Sequence, residues 1–157
     1  MRLTSKMMGL CAALLCAWSP AFGGEHATRD EAVNFVSKAV TFLKENGEEK
    51  AFAAFSTSEA EGGKFIDREL YIFVYDTRGY MYAIGNGNAK KMVGKSLIGL
   101  RDVDGVYLVK GLIQATEKTG KGWFDYKFPN QVTKVIEAKS GYCERVKDKL
   151  ICSGIYR

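Results

Sequence analysis

Two cysteines near the end of the chain, Cys143 and Cys152, flank the octapeptide ERVKDKLI. That stretch reads as a β-hairpin with Lys147-Asp148 at its tip. A two-residue turn pairs Val146 with Lys149, Arg145 with Leu150 and Glu144 with Ile151, and sets Cys143 opposite Cys152. In this register the cysteines form a non-hydrogen-bonded pair, where facing side chains approach most closely. The expectation is a cross-strand disulfide, with about 2–3 kcal/mol of stabilisation from closing a short loop. A redox pair or half of a metal site are the alternatives. Neither has support, because there is no C-x-x-C and the one histidine, His26, lies far back in the chain.

A disulfide requires an oxidising compartment, and the start of the chain agrees. Arg2 and Lys6 form a positive n-region, Met7 to Trp18 is an apolar run of 12 residues, and Ala21-Phe22-Gly23 offers small residues for a peptidase. This predicts a secretory signal peptide over residues 1–23, cleaved after Gly23. A retained membrane anchor is the alternative, but a spanning helix needs about 20 apolar residues. Cys16 follows Leu14-Leu15, which is not a lipobox. Two of the four cysteines, Cys11 and Cys16, leave with the leader. The exported chain, 24–157, is one domain of ordinary size with room for a proper core.

Removal of Arg2 and Lys6 lowers Lys plus Arg from 23 to 21 against 18 acids, a net charge of +3. The charges are scattered, as in KENGEEK and ERVKDK, which reads as a solvated mixed surface rather than a nucleic-acid face. The stretch GNGNAKKMVGKS carries a G-K-S, as phosphate-binding loops do. A Walker A loop needs a first glycine with four residues between it and the G-K-S, where this chain has Ala89, and Lys90, Lys91 and Met92 would crowd the phosphate. A nucleotide site is rejected. There is also no G-x-S-x-G, no H-E-x-x-H and no EF-hand spacing after Asp102 and Asp104, for which a turn and a helix cap suffice.

RDEAVNFVSKAVTFLKEN has a wide helical stripe, with Asp30 as N-cap and Asn46-Gly47 as stop; EEKAFAAFS is a second, short helix. ELYIFVYD is a strand with both faces apolar, hence central, and YMYAIG returns after the turn Thr77-Arg78-Gly79. A loop-rich stretch leads to the helix VYLVKGLIQATEKTG, and then to the strands GWFDYKF, VIEAKSGYCERV and KLICSGIYR. The expected architecture is α+β: a five-stranded, largely antiparallel sheet with a long N-terminal helix and shorter helices packed on it.

The strands carry an unusual aromatic load: Tyr71, Phe73, Tyr75, Tyr80, Tyr82, Trp123, Phe124, Tyr126 and Phe128, with Tyr142 and Tyr156 later. Strand aromatics serve most often as core, but buried Tyr and Trp want partners for their polar tips, so a small polar-lined cavity is a second reading. Lys139 either points to solvent or, if its strand is buried, needs a counter-charge that a ligand carboxylate could supply.

Taken in order, the F…LYIFVYD…G hairpin, VGK, D-V-D-G, G-W-F-D-Y, K-S-G-Y and G-I-Y motifs resemble the Cache superfamily, and most nearly its single-domain type 2, over roughly residues 30–157. The resemblance implies an extracytoplasmic, PAS-like sensor fold that binds small metabolites, often short-chain carboxylates. It implies a pocket built from Tyr71 and Phe73, Tyr82, Trp123 and Tyr126, and Lys139 and Tyr142, with Lys139 as carboxylate partner. Lys139 and Tyr142 have opposite strand parity, so both line one cavity only if Ser140-Gly141 forms a bulge or one of the two sits at the rim. The loop containing VGKS would form one cavity wall. Where the family usually shows A-H after the first hairpin, this chain has Ala83-Ile84.

The expected protein is a periplasmic small-molecule-binding sensor, without metal or cofactor. It is not an enzyme, and it presents its ligand state to a membrane receptor or kinase, with chemotaxis-type signalling as the context. Such domains normally sit between two membrane helices, and here the sequence stops just after the last strand, so a free-standing secreted form is expected. A small periplasmic enzyme acting on a carboxylate or sugar acid, and an interaction subunit with a filled core, remain the alternatives.

Overall fold

The computed structural model describes residues 26–157; the expected signal peptide, with Cys11 and Cys16, lies outside the described residues. Helix α1 (Arg29–Asn46) starts two residues earlier than an Asp30 cap implies. Its N-cap is Thr28, not Asp30: the Thr28 hydroxyl accepts from the Glu31 amide while the Glu31 carboxylate accepts from the Thr28 amide. This reciprocal pair satisfies two helix-end donors, which an Asp30 cap could not do. Gly47, at φ 79°, ends α1, and α2 (Glu48–Ser56) follows at once.

A two-stranded ribbon of β1 (Ile66–Asp67) and β2 (Leu70–Tyr71) precedes the main sheet. The sheet contains β3 (Phe73–Asp76), β4 (Met81–Ile84), β5 (Lys121–Pro129), β6 (Ile136–Val146) and β7 (Lys149–Tyr156), in the order β4-β3-β7-β6-β5. All neighbours are antiparallel. The single strand expected over ELYIFVYD is therefore interrupted at Ile72. Its first half turns away to pair Tyr71 with Ile66, and its second half pairs Phe73 with Cys152 and Ile84. Cys143 and Cys152 sit directly opposite each other, with Cα atoms 4.1 Å apart, and are joined by the disulfide in the expected register.

Short helices punctuate the connection from β4 to β5. Helix α3 (Ala89–Met92) occupies part of the stretch read as loop, and α4 (Leu108–Ala115) is shorter than the pattern suggested. Asp102 does not cap α4, whose N-cap is Tyr107 without a side-chain bond. It makes a turn instead, accepting from the amides of Asp104 and Val106, and it pins that turn to β5 by accepting from the Lys127 amide.

The sheet has two apolar faces. On one, Ile72, Val74, Ala83, Tyr142 and Ile151 pack against Val36, Ala39, Val40 and Leu43 of α1 and Ala51 and Phe55 of α2. On the other, Tyr71, Phe73, Tyr75, Tyr126, Leu150 and the disulfide pack against Leu108, Val109, Leu112 and Ile113 of α4. No helix among the described residues is long and apolar enough to cross a membrane.

Candidate functional site

On the α4 face, Lys139 of β6 is 1% exposed, between Tyr126 of β5 and Tyr156 of β7 in register. Its ammonium donates to the hydroxyls of Tyr71 (2.9 Å) and Tyr156 (3.2 Å). Four rings surround it, with centroids at 4.1 Å (Tyr71), 4.5 Å (Tyr156) and 5.6 Å (Phe73 and Phe128). The Tyr156 hydroxyl in turn donates a hydrogen bond to the Pro129 carbonyl, at 2.8 Å. Room for the lysine stem comes from Gly154, where a Cβ would lie 2.9 Å from Lys139 Cε and 2.7 Å from the Ser140 carbonyl oxygen. Gly154 pairs with Gly141, whose own missing side chain admits Leu112 and Tyr126.

No carboxylate of the described residues forms an ion pair with this ammonium. Burial therefore dominates and pushes the Lys139 amine down to about 7, against a weaker upward pull from Glu69. Burial likewise raises the Tyr71 phenol to about 12 and pushes the Tyr126 and Tyr156 phenols up, so all three are neutral hydroxyls at physiological pH. A neutral hydroxyl supports a cation by a dipole, and a ring by its quadrupole, but neither cancels the charge.

Above Tyr71 opens a cavity of about 690 Å³. Its walls come from the β1–β2 ribbon (Ile66, Arg68, Glu69), the turn at Ser58 to Ala60, Gly85 to Gly87 after β4, and the β5–β6 loop over 130–134. Glu69 is 5% exposed; its Oε1 accepts from the Ala27 amide at 2.7 Å and lies 3.4 Å from His26 Nδ1, tying the start of the described chain to the cavity wall. Asn86 folds its Oδ1 onto the Asn88 amide, while its buried Nδ2 lies against the Tyr71 hydroxyl without a well-formed hydrogen bond among the described residues. A buried donor left unpaired is costly, so this amide is a natural point of attachment for an acceptor on a ligand. Gly85 allows the close approach, since a Cβ there would lie 3.0 Å from the Phe55 carbonyl oxygen and 3.3 Å from Tyr71 Cβ.

Of the residues carried over from the family, Tyr71, Phe73, Tyr126 and Lys139 lie on this face, and Tyr71 borders the cavity directly. Tyr82, Trp123 and Tyr142 lie on the helix face. The Trp123 ring packs at a tilt against Tyr142, with centroids 5.0 Å apart and Arg29 of α1 over it, Tyr142 donates to Glu144, and Tyr82 packs on Phe52 of α2. The bulge that would bring Tyr142 round to Lys139 does not form: β6 and β7 pair residue by residue from Lys139↔Tyr156 to Val146↔Lys149. The sheet's irregularity is instead at β3–β4, between Val74 and Tyr75, where Tyr82 is passed over. The VGKS segment is not a cavity wall either. It lies along the edge of β4, with the Met81 amide donating to the Lys95 carbonyl, while the preceding Gly85-Asn86-Gly87 supplies the wall.

Tyr156, Asn86 and Glu69 were not among the expected site residues. Tyr156 could have been found from hairpin register, since the pairing that joins Cys143 to Cys152 also sets Lys139 opposite Tyr156. Asn86 and Glu69 carry no comparable signal, because the loop geometry that aims them is set by tertiary contacts. The described residues contain no cluster of His, Cys, Asp or Glu able to hold a metal ion.

No curated protein sequence matches the chain significantly. Among solved structures, a methyl-accepting chemotaxis protein from Vibrio parahaemolyticus RIMD 2210633 is similar with a TM-score of 0.67 and 22% identity, over 81% of this chain and 86% of that one. A structure described as the periplasmic sensor domain of a chemotaxis protein gives 0.58 and 20%, over 81% and 88%. One described as showing carboxylic acid recognition by a Cache chemosensory domain gives 0.60 and 19%, over 81% and 91%. At these identities the likeness establishes the fold. The sequence model of the Cache domain matches residues 63–157, which include every strand of the main sheet and the Lys139 site, and the chain therefore belongs to the Cache domain family.

Proposed function

We propose that this protein is a periplasmic sensor-type binding domain for a short carboxylate or a similar small metabolite, and that it reports its ligand state to a membrane receptor or kinase. One observation carries the reading: the buried Lys139 ammonium has neutral hydroxyls and aromatic rings around it but no carboxylate paired to it among the described residues. A buried cation is stabilised by an opposite charge, and the cavity above Tyr71 is where a ligand acid would bring one. The acid would accept from Asn86 Nδ2 and the Tyr71 hydroxyl at the cavity floor, with Lys139 directly beneath. A related Cache domain described by its carboxylic acid recognition supports the ligand class. A cavity of about 690 Å³ weighs against an interaction subunit with a filled core.

The test is a thermal-shift screen of the exported protein against two- to six-carbon monocarboxylates, hydroxy acids and dicarboxylates, on wild type and Lys139→Met. At 100 times its dissociation constant a ligand adds about 2.7 kcal/mol, several degrees for a domain of this size. A carboxylate that stabilises wild type but not the variant supports the reading. Hits retained in the variant move the site elsewhere, and the absence of any carboxylate hit removes the ligand class.

A further inference from the structure

Lys139 is held from every side. Tyr71 reaches it from β2, Phe73 from β3, Phe128 from β5 and Tyr156 from β7. Among these and the adjoining Tyr126, the titratable groups are phenols that burial keeps protonated. The anion acting on the ammonium is Glu69, whose Oε1 is already engaged by the Ala27 amide. His26, Glu59, Arg68 and Lys134 are the other charged or titratable groups at the cavity, and Arg68 is paired with Glu31 and Asp67. The empty site therefore offers the amine almost no compensation for carrying a proton, and its affinity for one is brought down to about 7. A ligand carboxylate on the Tyr71 hydroxyl changes that, because it adds a full negative charge on the far side of a hydroxyl that already bonds Nζ at 2.9 Å.

We infer that carboxylate binding takes up a proton at Lys139, so that the domain reads ligand and pH together; this rests on the carboxylate reading above. The only bond formed is N–H. The neutral amine takes a proton from the solvent buffer, and the resulting ammonium faces the bound acid through Tyr71. Below neutral pH the amine is already charged and no uptake occurs. Above it, binding must draw the proton from solution, and affinity falls as pH rises.

The experiment is calorimetric titration of the exported protein with acetate, propionate, lactate and succinate at pH 5.5 and 8.5. Each titration is run in two buffers of different ionisation enthalpy, so that proton uptake is counted directly. Once the acid's own proton release is subtracted, the expected result is uptake near zero at pH 5.5 and approaching one proton at pH 8.5, with affinity dropping about tenfold per pH unit above neutrality. Lys139→Arg, whose guanidinium stays charged, should bind without uptake. As a readout independent of that variant's folding, the Lys139 ¹³Cε resonance should titrate near neutrality in the free protein and move to higher pH with the acid present. An acid that binds at pH 8.5 with no uptake overturns this inference and leaves the carboxylate reading standing. Uptake that survives Lys139→Arg, or that disappears in His26→Asn, assigns the proton elsewhere and also overturns it. If none of the four acids binds at either pH, the carboxylate reading itself fails.

Discussion

Tyr71 contacts Lys139 twice, through its hydroxyl at 2.9 Å from Nζ and through its ring, whose centroid is 4.1 Å away. The same side chain borders the cavity, so one residue connects the lysine to the cavity wall. Tyr71→Phe keeps the ring and removes the hydroxyl. Loss of a hydrogen bond to a charged group costs about 1.5–3 kcal/mol, so carboxylate affinity should fall roughly tenfold or more. Titration of the variant with the best acid from the screen measures it, and unchanged affinity would place the acid away from Tyr71.

Lys139→Met should stabilise the ligand-free protein. The amine sits at about 7 when folded against 10.5 when exposed, so between those values the unfolded chain binds more protons. Through this group alone, wild-type stability is lowest at and below pH 7 and rises toward pH 10. Replacing a buried, uncompensated charge by an apolar chain of similar length is worth on the order of 1–4 kcal/mol at pH 6. Urea denaturation of both proteins at pH 6 and pH 9.5 should show the gap narrowing at the higher pH. A destabilised variant at pH 6 would mean that the cage compensates the charge fully.

Gly154→Ala tests the space beneath the lysine. The new methyl would meet the Ser140 carbonyl at 2.7 Å and Lys139 Cε at 2.9 Å, and backbone cannot withdraw as a side-chain tip can. Overpacking of this kind costs about 1–3 kcal/mol. The double variant with Lys139→Ala should recover part of that cost, which a double-mutant cycle in denaturant would register as coupling between the two positions.

The disulfide closes a loop between residues nine apart, for which chain entropy predicts about 2–3 kcal/mol. Replacing both Cys143 and Cys152 by Ala should lower the denaturation midpoint accordingly and leave the circular dichroism of the folded protein unchanged. A loss of fold would mean that the bond is needed to form the sheet rather than to strengthen it.

The hairpin register around the cysteines was legible because turn length and strand period leave one solution, and the same pairing carries through to Lys139 and Tyr156. The burial of both faces of ELYIFVYD was legible for a similar reason: an apolar run with no polar side can only be central. The division of the aromatics between the two faces was partly legible, since strand parity already separates Lys139 from Tyr142. The bulge near Tyr82 was not, because irregular pairing leaves no mark in the order of residues. The roles of Glu69 and Asn86 come from the Ala27 amide and from a loop reversal, contacts between segments far apart in the chain, or turns with several conformations open to them.

The alternation of Tyr71 and Phe73 with Ile72 and Val74 has a mechanical consequence. Neighbouring residues of one short segment face the Lys139 cage on one side and the α1–α2 layer on the other. A single peptide unit therefore separates the packing around Lys139 from the packing under the helical layer, and Tyr71 and Ile72 cannot be repositioned independently of each other.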